Sequence, residues 1–261
     1  MKNIDKNNWK KTDINVDSLW VIPERDKSGK HSNVYHGNFI PQIPNQLIRR
    51  YTEENDLVLD IFMGSGTTLF ECESLNRKFI GFDINREIIS YVKTKMESSH
   101  ASFVINECNV ADEKKFDDFM EQSLSKMDEK EVDFFIAHPP YMDIIKFTEL
   151  QQDLSQISSL SDFLEKCLTC IKNAYKYLKK GNYFAIVVGD IYRNSEVVPL
   201  AFYVMDSIKK SLNVKLKGTI VKNIAGNKGK LDSINIWRYR ALKSDYYLFK
   251  HEYIFVFKKI K

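Results

Sequence analysis

Residues 56–85 read DLVLDIFMGSGTTLFECESLNRKFIGFDIN. Leu57-Val58-Leu59 is an apolar run of the kind that forms a parallel strand buried on both faces, and Phe79-Ile80-Gly81-Phe82 is a second one. A glycine turn and a helix-length segment lie between them, so the stretch reads as a βαβ unit. Asp60 ends the first strand, and Gly64 and Gly66 follow where the backbone must turn tightly beneath a ligand. Asp83 ends the second strand, at the separation at which dinucleotide folds place the acid that grips a ribose. These features predict a nucleoside-containing cofactor at the carboxyl ends of the strands.

Its chemistry is narrowed by what the loop lacks. A phosphate-binding P-loop places lysine directly after its last glycine, and here Thr67 follows Gly66. The dinucleotide fingerprint has a third glycine three residues after Gly66, where Leu69 stands. A phosphate-free nucleoside such as S-adenosylmethionine fits better than either.

The remainder of the chain is consistent with one such sheet. A length of 261 residues, 43% of them hydrophobic, provides for one large domain or one domain with a small appendage. The formal charge of +4, from 39 basic and 35 acidic residues, is a mild excess, so any basic surface must be local. Cys72, Cys108, Cys167 and Cys170 form no disulfide-scaffold pattern, and Cys167 and Cys170 read as two buried thiols of a helix with no second pair to complete a zinc site. No metal is expected. No run approaches a membrane span, which makes the reducing cytoplasm the expected compartment.

Upstream, residues 1–35 read as a polar arm that packs its tryptophans on the core, the alternative being a mobile loop that touches substrate, and residues 36–261 as the main domain. Pro41 and Pro44 punctuate an extended approach, Asn45 reads as the N-cap of a helix carrying Leu47, Ile48 and Tyr51, and the turn from His36 to Pro41 is expected beside the cofactor. Downstream, helical spacing covers 86–98, with strands at 103–105 and 132–137, and Asn106 to Asn109 is a candidate adenine contact. The strand at 132–137 runs into His138-Pro139-Pro140-Tyr141, where two prolines force the chain out of the sheet. Ser161 or Asp162 is expected to cap a helix that Gly181 stops, with Phe163, Leu164, Leu168, Ile171, Ala174, Tyr175 and Leu178 buried. A strand at 183–188, a helix at 199–212 and strands at 217–221 and 253–257 complete a doubly wound, mostly parallel α/β sheet, Rossmann-like and of the seven-stranded methyltransferase type, with an antiparallel C-terminal strand. A basic aromatic tract at about 215–250, with Lys222, Lys228, Lys230, Arg238 and Arg240 among Trp237, Tyr239, Tyr246 and Tyr247, is a candidate nucleic-acid surface, the alternative being a solvated loop beside an aromatic core edge.

Two of these segments carry a resemblance. Asp60-Ile61-Phe62-Met63-Gly64-Ser65-Gly66-Thr67-Thr68 followed by His138-Pro139-Pro140-Tyr141 resembles the paired signature motifs of the DNA amino-methyltransferases, which methylate adenine N6 or cytosine N4 with S-adenosylmethionine. The ending His251 to Lys259 is similar to segments of that family as well. The resemblance implies that Phe62, Gly64 and Gly66 surround the methionine part of the cofactor and that Thr67 and Thr68 begin the next helix. It also implies that Asp83 accepts from both ribose hydroxyls, that Asn109 lies near the adenine and that His36, Asn38 and Phe39 lie near the carboxylate, with Asp60, Thr67 and Thr68 also in the cofactor-binding set. Three features depart from the pattern: Ile61 stands where proline is common, the cofactor motif precedes the diproline motif whereas many relatives have the reverse order, and His138 replaces the usual Asp, Asn or Ser.

The chemistry explains the second motif. An exocyclic amine is a weak nucleophile because its lone pair is delocalised into the ring, and two acceptors aimed at its N–H bonds localise that pair. The resemblance gives those roles to the side chain of His138 and the carbonyl of Pro139, ahead of Pro140, with Tyr141 stacked on a flipped base. DNA is the partner so implied, in DNA methylation of the restriction–modification kind. A homodimer or a separate target-recognition partner remains open, as do adenine against cytosine, an RNA substrate, and a non-catalytic, partner-dependent subunit.

Overall fold

The computed structural model describes residues 9–32, 35, 37–224 and 234–260. Among them an eight-stranded sheet runs in the order β1-β9-β10-β6-β5-β2-β3-β4. Its strands are β1 (Leu19–Trp20), β2 (Leu57–Asp60), β3 (Lys78–Asp83), β4 (Phe103–Glu107), β5 (Val132–Ala137), β6 (Leu178–Val188), β9 (Val214–Asn223) and β10 (His251–Lys259). β2 to β6 are mutually parallel, and β10 lies antiparallel between β6 and β9. β7 (Ile191–Arg193) and β8 (Glu196–Val198) form a separate hairpin.

Helices cover both faces, as the unbroken apolar strands require. On one face α1 (Gln42–Tyr51), α2 (Thr67–Ser74) and α3 (Arg86–Met96) pack with Trp20 of the arm. On the other lie α4 (Glu113–Met127), α5 (Leu160–Tyr177) and α6 (Leu200–Ser211). The helix α7 (Ile234–Lys243) stands apart, with Ile236, Tyr239 and Leu242 exposed. No helix among the described residues is long and apolar enough to cross a membrane.

Most boundaries follow the hydrophobic pattern. Ile88, Ile89, Val92 and Met96 are the buried stripe of α3, and β5 spans the expected apolar run. The arm divides: Trp20 is 2% exposed and Trp9 is 56% exposed, so only the former packs on the core. The arm also adds β1 to the sheet edge, parallel to β9, which makes eight strands where seven were expected.

Three helix ends differ from the sequence reading. α1 begins at Gln42 with Pro41 as its N-cap, so Asn45 is interior and donates to Glu71 Oε2 at 2.7 Å. Pro44 is tolerated because a first-turn N–H has no intrahelical partner to lose. Ser159, and neither Ser161 nor Asp162, caps α5 by accepting from the backbone N–H of Asp162. That helix ends at Tyr177, before Gly181, because the Lys259 ammonium reaches across from β10 and satisfies the carbonyls of Tyr175, Lys176 and Leu178. Its buried stripe is correspondingly centred on Phe163, Cys167, Cys170, Ile171 and Ala174, with Leu164 and Leu168 only partly covered. Both cysteines are thus buried free thiols.

The connectivity places a switch point beside β2. From it the chain crosses to β3 on one side, and β5 occupies the other. Doubly wound sheets open a crevice at the carboxyl ends of such strands.

Candidate active site

A cavity of about 580 Å³ occupies that crevice, within the range of small-molecule sites. One wall is the glycine loop. Gly64 and Gly66 have φ of 52° and 83°, left-handed values at which a side chain is strained. The loop is tied to β3 by two bonds: Met63 N–H donates to the Phe82 carbonyl at 2.9 Å, and Gly64 N–H donates to Asp83 Oδ2 at 2.8 Å. Asp83 Oδ1 accepts from Asn85 N–H at 2.8 Å. Burial pushes this carboxyl up to about 6, yet it still faces the cavity, and each oxygen retains capacity for a further donor.

Asn38 clamps the loop from the other side. It accepts from Thr67 Oγ1 at 2.6 Å and donates to Ser65 Oγ at 2.8 Å. Phe39, Phe62 and Asn109 complete this half of the lining, Asn109 turning the chain by accepting from Ala111 N–H at 3.1 Å. His36 lies outside the described residues.

Three residues expected around a cofactor stand behind the loop instead. Asp60 is 1% exposed; its oxygens accept from Phe62 N–H at 3.0 Å and from Thr68 Oγ1 at 2.5 Å, and burial pushes its carboxyl up to about 7. Asp60, Thr68 and Gly66 do not line the cavity. The last side chain of β2 points beneath the turn, where its acceptors hold the loop's own donors, and Gly66 serves as the N-cap of α2.

The opposite wall is the end of β5. His138, Pro139, Pro140 and Tyr141 all line the same cavity as the glycine loop. The His138 ring packs against Phe39, centroids 5.0 Å apart, and burial holds its imidazole down at about 4, so the ring is neutral at physiological pH. Its Nε2 lies 3.2 Å from Tyr141 Oη. The tyrosine hydroxyl donates to Glu252 Oε2 at 3.1 Å, and Lys222 Nζ donates to Glu252 Oε1 at 3.0 Å.

Lys222 therefore differs from the sequence reading. It sits in β9, 4% exposed, directly across from Glu252 of β10, and lines the cavity in place of a solvent-facing basic loop. The strand persists two residues further than its apolar run suggested, because the buried carboxylate opposite compensates the ammonium. Lys228 and Lys230 lie outside the described residues. Arg238 and Arg240 are exposed on α7. Among the described residues the expected basic aromatic tract is thus divided between a strand of the sheet, a peripheral helix and the segment 244–250 that carries Tyr246 and Tyr247.

Other parts of the site left little trace in the sequence. Tyr35 and Phe147 stack at 5.4 Å beside the loop, both lining the cavity. Gly189, after β6, admits the Tyr141 ring: a Cβ there would lie 2.9 Å from it. Glu252 was detectable as an acid at the head of an apolar strand, but its partners were not. Among the described residues no group of three or more His, Cys, Asp or Glu could hold a metal.

Comparison with known proteins supplies the family. The sequence profile of a family described as DNA methylase matches residues 1–94 and 132–261. The Type II methyltransferase M.HpaI of Haemophilus parainfluenzae is 45% identical over 89 residues, 34% of this chain and 28% of that protein. M.MjaII of Methanocaldococcus jannaschii is 40% identical over 62 residues, 24% of this chain and 12% of that protein. The matched segments thus span little more than a quarter of the first relative's length and about an eighth of the second's. A Streptococcus mutans protein crystallised with SAH shares the fold with TM-score 0.51 at 13% identity, over 84% of this chain and 97% of that one.

Proposed function

The chain belongs to the DNA methylase family, and from that premise we propose that it transfers a methyl group from S-adenosylmethionine to the exocyclic amine of a DNA base, adenine N6 or cytosine N4. The observation that carries this reading is the single cavity, lined on one side by the Gly64 loop and Asp83 and on the other by His138 to Tyr141. Had the two motifs opened on separate faces, no methyl could pass between them.

The residues fit the cofactor. The loop turns on left-handed glycines and has no lysine, which suits a nucleoside without phosphates, and Asp83 retains acceptor capacity for ribose hydroxyls. Asn38, Phe39, Phe62, Thr67 and Asn109 surround the remaining space. Bound there, the cofactor supplies an electrophilic sulfonium methyl. Asp60, Thr68 and Gly66 act one step removed, by holding the loop in shape.

The diproline corner prepares the amine. Neutral His138 and the Pro139 carbonyl each accept one N–H of the amine, which localises the nitrogen lone pair as the new bond forms. Rigid proline geometry fixes the carbonyl direction before substrate arrives. Tyr141 stacks on a base swung out of the duplex, and exclusion of water strengthens each of these contacts. The Type II methyltransferase names of the relatives support DNA as substrate and a restriction–modification setting.

Labelled methyl donor, incubated with the protein and unmethylated DNA and then followed by digestion to nucleosides, tests the proposal. N6-methyladenine or N4-methylcytosine is the expected product. Label confined to RNA added in parallel, or incorporated only with a partner protein, would replace the DNA assignment or the self-sufficiency of the chain. The exposed arginines of α7 are proposed to contact the phosphate backbone. Arg238→Ala with Arg240→Ala should weaken DNA binding and reduce the slope of log affinity against log salt by about 2. An unaltered slope would remove α7 from the interface.

A further inference from the structure

We propose that Glu252, anchored by Lys222 and acting through the Tyr141 hydroxyl, fixes the tautomer of His138 so that Nδ1 is left as the amine acceptor. This inference rests on the methyl-transfer reading and assigns a positioning role to two residues that neither motif contains. It follows from counting protons along the chain of contacts.

A neutral imidazole has one N–H and one lone-pair nitrogen, and only the latter can accept from an amine. Which nitrogen is which depends on the neighbours. Glu252 receives the Lys222 ammonium at 3.0 Å on Oε1, so it is an ionised acceptor, and the Tyr141 hydroxyl donates to its Oε2 at 3.1 Å. A phenol has a single proton. With that proton given to Glu252, Tyr141 Oη can only accept from the atom on its other side, which is His138 Nε2 at 3.2 Å. The ring therefore carries its hydrogen on Nε2. Nδ1 makes no hydrogen bond among the described residues and is not among the buried unpaired atoms, so it remains accessible from the cavity His138 lines.

The surroundings make the relay rigid. Glu252 and Lys222 are 7% and 4% exposed and face each other across the β9–β10 ladder. Tyr141 lies against Gly189, where any larger residue would displace it. Phe39 covers the imidazole from the opposite direction. Among the described residues, Phe39, Tyr141, Glu252 and Lys222 are the aromatic and charged groups that face this histidine, and of these only Tyr141 is bonded to one of its nitrogens. A Glu side chain is suited to this role and Gln is not. With the Gln oxygen held by Lys222, its NH2 would face Tyr141 and donate to Oη, which frees the phenol proton for His138 Nε2 and moves the ring hydrogen to Nδ1.

Imidazole nitrogen shifts read the tautomer directly. In protein labelled with 15N and 13C at histidine, the His138 signals are those that vanish in His138→Gln. The Nε2–H form is expected at neutral pH in the unaltered chain, and Glu252→Gln is expected to convert it to the Nδ1–H form. The same variant should lose at least tenfold in single-turnover methylation while its affinity for S-adenosylmethionine stays the same. A proton on Nδ1 in the unaltered chain, or a tautomer indifferent to Glu252→Gln, would overturn the inference. The expected tautomers in a chain that methylates nothing would instead overturn the methyl-transfer reading alone.

Discussion

The two walls of the cavity are built by different means. The glycine wall is local: Gly64 and Asp83 are 19 positions apart, and the holding bonds come largely from backbone amides. The diproline wall is assembled from distant segments, with Tyr141 and Glu252 111 positions apart and joined through side-chain hydrogen bonds. A local, backbone-built wall tolerates change in the side chains around it. A wall built from distant side chains concentrates its chemistry in a few groups that must meet with correct protonation.

The sharpest way to break this contrast is to remove one group from each wall. His138→Ala should reduce single-turnover methylation by about 10²–10³-fold, the typical effect of deleting one preorganised transition-state partner. Cofactor affinity, measured by calorimetry, should hardly change. An equal loss of both would mean that the walls are not separable. Asp83→Asn should act in the opposite sense, weakening cofactor binding by about ten- to hundredfold through lost charge-assisted hydrogen bonds. Its rate at saturating cofactor should stay near that of the unaltered protein.

The two walls should also titrate apart. Asp83 accepts hydrogen bonds in its ionised form, and burial pushes it up to about 6, so cofactor dissociation constants should rise by roughly tenfold per pH unit below that point. His138 accepts in its neutral form, and burial holds it down at about 4, so the saturated rate should stay flat through pH 6 and fall only toward pH 4. A saturated rate that already halves near the ordinary histidine value would exclude the neutral ring. The mildest intervention is Gly189→Ala. Its Cβ meets the Tyr141 ring at 2.9 Å and should cost roughly tenfold in rate by displacing it, leaving cofactor affinity alone.

This contrast also separates what was legible in the chain from what was not. The apolar runs of β2, β3 and β5, the stripe of α3 and both motifs were readable because each depends on neighbours in sequence. The ends of α1 and α5 were misread because Lys259, 81 positions from Leu178, caps α5, while prolines open α1 without a capping side chain. Asp60 carries a motif position, yet its carboxylate holds the loop from behind, a direction set by the pleat of a buried strand. Lys222 read as part of a basic surface because its compensating charge stands on another strand.

By itself the amino-acid sequence determined the parallel α/β architecture, the glycine turn with its terminal acid, and the diproline exit from β5, because hydrophobic periodicity and the backbone limits of glycine and proline act over a few residues. Only the tertiary structure decided that both turns share one cavity, that an antiparallel β10 delivers Glu252 to the diproline corner, and that His138 is half-buried and neutral. Those outcomes depend on strand order and on the dielectric that packing creates, and neither is a property of any short segment.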